Sequence, residues 1–149
     1  MAKHTTKSLE ETHKLAADFV SRLPNSQLLT PNSCLIFALH GDLGSGKTAF
    51  VQGVAKALGV KHHVTSPTFV IQKRYEIPDL SKNIIHIDAY RLGEGSDMSA
   101  LRFNETLADP NNIVFIEWPN IVTSALPEHA IPLKFKFIDE TTREIELPN

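Results

Sequence analysis

Eight residues constrain this chain more than any other feature. Gly41-Asp42-Leu43-Gly44-Ser45-Gly46-Lys47-Thr48 satisfies the pattern G-x-x-x-x-G-K-[ST] in full. Its glycines let the backbone wrap closely around a polyphosphate and turn several N–H groups inward as an anion nest. Lys47 supplies a point charge for the β- and γ-phosphates, and the Thr48 hydroxyl is suited to ligate Mg²⁺. Such a pattern has meaning only between a strand and a helix. Both flanks read that way. Cys34 to Leu39 is a continuous apolar run, the mark of a buried strand, and Phe50, Val51, Val54, Ala57 and Leu58 follow at helical spacing until Gly59 closes the helix. That helix aims its positive end at the phosphates. The segment from Asp42 through Ala49 is therefore read as a nucleoside triphosphate site.

The rest of the chain predicts an α/β domain around this loop. Ser8 with Glu11 reads as a capping box, and Leu9, Thr12, Ala16, Phe19, Val20 and Leu23 repeat at helical spacing up to Pro24. A loop is expected to Pro31 and Asn32. Thr68 to Ile77 reads as a strand with a turn at Pro78-Asp79, and Asn83 to Asp88 as a buried strand. A short helix capped by Ser96 or Asp97 is expected to reach Leu107, followed by a third buried strand, Ile113 to Glu117. Leu133 to Ile138 and Arg143 to Leu147 read as a terminal pair of strands turning near Asp139-Glu140. Strands separated by helices predict a P-loop NTPase-like three-layer sandwich, with a mixed, mostly parallel sheet and a C-terminal β-hairpin. With 149 residues, positions 1–149 are read as one domain.

Composition excludes several classes. Fifteen Lys plus Arg against seventeen Asp plus Glu leave a formal charge of −2, against the basic excess usual for an obligate nucleic-acid binder. The single cysteine, Cys34, excludes an internal disulfide and a cysteine-based zinc site and fits a reducing cytoplasm. No apolar run approaches the ~18 residues of a membrane span. Met1 to Lys7 is polar and lacks the apolar centre of a signal peptide. A cytoplasmic protein is expected.

A P-loop needs a second acid for its metal, and Asp88 and Glu117 each close an apolar strand. Parallel strands carry their C-terminal ends to the ligand side, so both are expected in the site. Position alone does not separate metal ligand from water-activating acid. Without an N-K-x-D stretch, ATP is the expected nucleotide. His62-His63 reads as loop, since adjacent residues do not face one metal. His86, between Ile85 and Ile87, reads as a hydrogen-bonded structural histidine, and Cys34 as packing.

Four segments, GDLGSGKT at 41–48, TSPTF at 65–69, HIDAYRL at 86–92 and IEWPN at 116–120, together resemble the bacterial TsaE family. Ser8 to Thr12, Leu126-Pro127 and the strand at Arg143 extend the resemblance over nearly the whole chain. It implies an ATPase of tRNA threonylcarbamoyladenosine biosynthesis. By resemblance, Lys47 acts on the phosphates, Thr48 and Glu117 hold Mg²⁺, and Asp88 orients or activates the attacking water. Thr65 to Thr68 would form a switch that follows the γ-phosphate. Trp118 is read as either closing over the site or packing, Tyr90 and Arg91 as serving the site or a partner, and the helix start from Leu9 to Thr12 as the adenine side. Arg102 stands where relatives carry a glycine, which puts the local turn in question. The implied partners are TsaD and TsaB, with tRNA touched indirectly. Two alternatives remain: a small-molecule P-loop kinase, disfavoured by five scattered arginines at 22, 74, 91, 102 and 143, and a nucleotide-gated module without meaningful hydrolysis.

Overall fold

A computed structural model describes residues 1–23, 34–65, 72–78, 80–90 and 102–149. Its elements are β1 (Ala2–Thr6), α1 (Leu9–Arg22), β2 (Leu35–His40), α2 (Lys47–Ala57), β3 (Gln72–Ile77), β4 (Lys82–Asp88), α3 (Phe103–Ala108), β5 (Asn112–Glu117), a 3₁₀ segment (Pro119–Ala125), β6 (Ile131–Phe137) and β7 (Arg143–Leu147). The described strands form one seven-stranded sheet in the order β1-β7-β6-β2-β5-β4-β3. Strands β6, β2, β5 and β4 are mutually parallel, while β7 and β3 run against their neighbours. The mixed sheet, parallel through its four adjacent strands β6, β2, β5 and β4, and the C-terminal hairpin are as expected.

Residues of β2 alternate between two cores, which explains its unbroken apolar run. Leu35, Phe37 and Leu39 pack toward α1 and α2, against Phe19, Phe50, Phe115 and Phe135. Ile36 and Ala38 pack on the opposite face with Ile85, Ile116, Phe103 and Leu107. Phe37 stacks on Phe115 at 5.1 Å and meets Phe19 edge-on at 5.3 Å. Burying each such ring contributes about 1.5–3 kcal/mol. These two cores make the three layers.

Helix boundaries follow local chemistry. Ser8 Oγ accepts from Glu11 N at 3.1 Å, but the Glu11 carboxylate returns to Lys7 N at 2.6 Å rather than to the capping residue itself. The expected capping box is thus shifted by one residue. At the end of α2, Gly59 adopts φ +81° while Val60 N bonds Ala55 O and Gly59 N bonds Lys56 O, a Schellman stop. In the β6–β7 turn, Asp139 Oδ1 accepts from the Thr141 and Thr142 backbone, and these bonds hold its carboxyl below the usual carboxylate range.

One element was not foreseen and one expectation needs correction. The polar stretch before Ser8 contains a strand, β1, paired antiparallel with β7 from Ala2↔Leu147 to Thr6↔Arg143. A helix continuous from Ser96 or Asp97 to Leu107 is excluded, because Arg102 is left-handed (φ 54°, ψ 42°) and α3 begins after it. Residues 96–101 lie outside the described residues, as do the loop over 24–33 and the first four residues of the strand expected from Thr68.

Candidate functional site

Parallel register assembles the site at one end of the sheet. Asp88 pairs with Glu117, and Glu117 pairs with Leu39 on the central strand, one residue before His40 leads into the glycine loop. Both acids follow alternate residues that face α2, namely Ile84 on β4 and Ile113 and Phe115 on β5. They therefore emerge beside the N-terminus of that helix. Gly41, Gly44 and Gly46 take φ of +158°, +77° and +104°, values that disfavour a side chain. At Gly41 there is also no room: a Cβ would lie 2.5 Å from Phe135 O.

A cavity of about 290 Å³ opens here, lined by Leu43 through Ala49 together with Asp88, Glu117, Trp118 and Arg143. Asp42 does not line it; its side chain is exposed and its carbonyl accepts from Lys47 Nζ at 3.0 Å. Lys47 Nζ also donates to Gly41 O and lies 4.3 Å from the Trp118 ring centre. Burial lowers the Lys47 pKa, and the Glu117, Asp88 and Asp42 carboxylates pull it back up. Ser45 Oγ is buried without a partner among the described residues, a hydroxyl left for whatever the glycine loop receives.

Thr48 Oγ1 donates to Glu117 Oε2 at 3.2 Å, and its distance to Oε1 is 3.5 Å. These hard oxygen donors suit Mg²⁺, which takes few protein ligands and keeps phosphate oxygens and waters. Among the described residues no cluster of three His, Cys, Asp or Glu side chains offers an alternative metal site. Asp88 is nearly buried, and its Oδ1 accepts from Tyr90 N at 2.9 Å. Trp118 takes φ +59°, which is costly for a bulky residue and sets its ring over Lys47. It also packs on the second core, as the packing reading expects. Tyr90 is 60% exposed, with its ring 5.2 Å from that of Trp118.

A second cavity, about 360 Å³, adjoins the first through Gly46, Ala49 and Arg143 and is lined by Lys7, Ser8, Leu9 and Thr12. Leu9 is 57% exposed despite its place in the helical repeat, and this cavity is where it lies. The start of α1 thus lies beside the glycine loop.

Arg143 was not among the expected site residues. Its Nε donates to Gly44 O at 2.9 Å and its Nη1 to Asp139 O at 2.6 Å, with the guanidinium 4.6 Å from the Phe137 ring centre. A lone arginine opening a strand carries no local signal; only the β6–β7 hairpin brings it to the loop. Thr65 is exposed and bonded by Lys73 Nζ, while Gln52 Nε2 donates to Val64 O at 2.8 Å. The remaining switch residues, Ser66 to Thr68, and Arg91 lie outside the described residues. His62 and His63 lie in a loop, as expected, and are exposed. Cys34 is packed in the second core, and burial with the nearby Asp109 charge pushes its thiol up to about 11.

The strand–glycine loop–helix unit, with two acids delivered by neighbouring parallel strands, defines a P-loop α/β domain. Comparison with known proteins narrows the class. A sequence model described as threonylcarbamoyl adenosine biosynthesis protein TsaE matches residues 6–145. A tRNA threonylcarbamoyladenosine biosynthesis protein TsaE from Rickettsia typhi is 34% identical over 141 residues, covering 94% of this chain and 90% of the relative. The protein of the same name from Borreliella burgdorferi is 38% identical over 113 residues, covering 75% and 80%. Among solved structures, Bacillus subtilis YdiB superposes with a TM-score of 0.71 at 27% identity, covering 97% of this chain and 82% of that one. The chain belongs to the TsaE family, which acts in tRNA threonylcarbamoyladenosine biosynthesis.

Proposed function

We propose that this chain is a Mg²⁺-dependent ATPase subunit that works in the cytoplasm with TsaD and TsaB, driving a conformational step in threonylcarbamoyl modification of tRNA. The observation that carries this reading is the contact of Thr48 with Glu117 at the mouth of the glycine nest. It joins the two oxygen donors a metal–triphosphate complex needs. In this reading Leu43 to Ala49 hold the phosphates, Lys47 and the α2 N-terminus balance their charge, and Thr48 and Glu117 hold Mg²⁺. The metal would supply charge neutralisation on the phosphate oxygens. Asp88, with one carboxylate oxygen already fixed by Tyr90 N, offers the other to the attacking water. Leu9 and its cavity would receive the nucleoside. The buried Cys34 thiol agrees with a reducing compartment, and no helix among the described residues is long and apolar enough to cross a membrane.

The test is steady-state release of free phosphate from ATP, first alone and then with purified TsaD and TsaB. A slow basal rate that rises with the pair supports the reading. Phosphate transferred to an acceptor would make the protein a kinase, and binding without turnover under either condition would make it a nucleotide-gated module. Asp88→Asn should lower phosphate release by about 10²–10⁴-fold, the usual contribution of a positioned acid–base group, while ATP still binds. Unchanged turnover would remove Asp88 from the chemistry.

A further inference from the structure

His86 is fully buried, in a row where an aliphatic side chain would pack without any polar group to satisfy. On β4 it lies between Lys73 of β3 and Phe115 of β5, two residues before Asp88 and on the same face. Its Nε2 stands 2.6 Å from Glu117 Oε2. A carboxylate only accepts, so Nε2 carries the hydrogen and donates. Nδ1 has no partner among the described residues. The ring's polar contact is therefore spent on one acid, the same acid that meets the Thr48 hydroxyl.

We propose that His86 is a positioning residue for Glu117: its Nε2–H holds Oε2 and so fixes the carboxylate beside Thr48, leaving Oε1, 3.5 Å from Thr48 Oγ1, for a divalent cation. The proposal rests on the Mg²⁺–nucleotide reading above. Glu117 needs such an anchor because the pairing with Leu39 and Asp88 and the bond from Ala89 N to its carbonyl hold its backbone but not its carboxylate. Thr48 cannot serve, since its own oxygen is wanted by the same ion. Hydrogen-bond partners of metal-ligating groups orient them, and their loss costs about 10–100-fold in metal affinity.

The experiment follows the fluorescence of Trp118, the single tryptophan, as a non-hydrolysable ATP analogue is titrated in EDTA and then at rising Mg²⁺. His86→Leu removes the donor at similar volume; His86→Gln places an amide N–H near the former Nε2. We expect His86→Leu to bind the analogue in EDTA as wild type does, but to need at least about tenfold more Mg²⁺ for its metal-dependent response. His86→Gln should recover most of that loss. In a Glu117→Gln background, His86→Leu should add nothing to the Mg²⁺ requirement. Should His86→Leu fail to fold, as judged by its thermal melt, His86→Asn takes its place: it stays polar but stops short of the carboxylate, and the same Mg²⁺ shift is expected. An unshifted Mg²⁺ titration in the folded donor-less variant overturns the positioning role alone. Equal losses in the Leu and Gln variants overturn it too, pointing to packing. If wild type shows no Mg²⁺ response at all, the metal–nucleotide reading fails first and this proposal falls with it.

Discussion

Arg102 shows how much one backbone angle can be worth. Its φ of 54° and ψ of 42° lie in the left-handed region, where an L-residue with a Cβ pays about 1–2 kcal/mol. A glycine has no Cβ and adopts this conformation without that cost. The side chain offers little in return: it is exposed, and its pairing with Glu105 is 4.0 Å long, a surface contact of small value. Arg102→Gly should therefore stabilise the protein by about 1 kcal/mol, a rise of roughly 2–4 °C in Tm for a domain of this size. A fall in the thermal melt would mean that Arg102 makes an interaction stronger than its geometry suggests.

At the scale of elements, the contact between α1 and α2 decides another case. Gly53 sits inside α2, where alanine would ordinarily gain about 1 kcal/mol of helix propensity. Here a Cβ would lie 2.8 Å from both Ala16 Cβ and His13 Cα. The second atom is backbone and cannot swing aside, so the two helices would have to part. Overpacking of this kind costs about 1–3 kcal/mol and outweighs the propensity gain. Gly53→Ala should lower Tm, and a raised Tm would show that α1 yields freely.

The same scale shows what the sequence made legible. The glycine loop, its flanking strand and helix, and both acids were readable because each is a local pattern. β1 was not, because Ala2–Thr6 carries no apolar run and is a strand only through its pairing with β7, whose first residue lies 137 positions beyond Thr6. Leu9 fits the helical repeat yet faces a cavity, since period alone cannot say which turn of a helix outruns the core. His86 and Arg143 act across 31 and 99 residues of chain, distances at which one sequence gives no signal.

For the whole molecule, the N-terminal strand, the hairpin and the phosphate loop form one mechanical chain. β1 covers β7, with Lys3 reaching Glu144 at 3.5 Å and Glu146 at 3.7 Å across the pair. β7 begins at Arg143, which bonds Gly44 O in the loop. The turn from β1 into α1 supplies Lys7, Ser8 and Leu9 to the second cavity. Removing residues 1–5 deletes the strand but keeps the Thr6–Thr12 hydroxyl contact beneath it. The truncation then exposes the β7 edge, and an unpaired edge invites association with other chains. We expect a lower Tm, concentration-dependent aggregation, and ATP affinity reduced by about tenfold, the equivalent of roughly 1.4 kcal/mol. Thermal melts, light scattering and Trp118 fluorescence titration would read the three effects separately. Bound nucleotide should restore part of the lost Tm, because a ligand that binds only the folded chain stabilises it by mass action. If stability falls while affinity is untouched, β1 is merely an edge cover, and Arg143 holds the loop without help from the strand behind it.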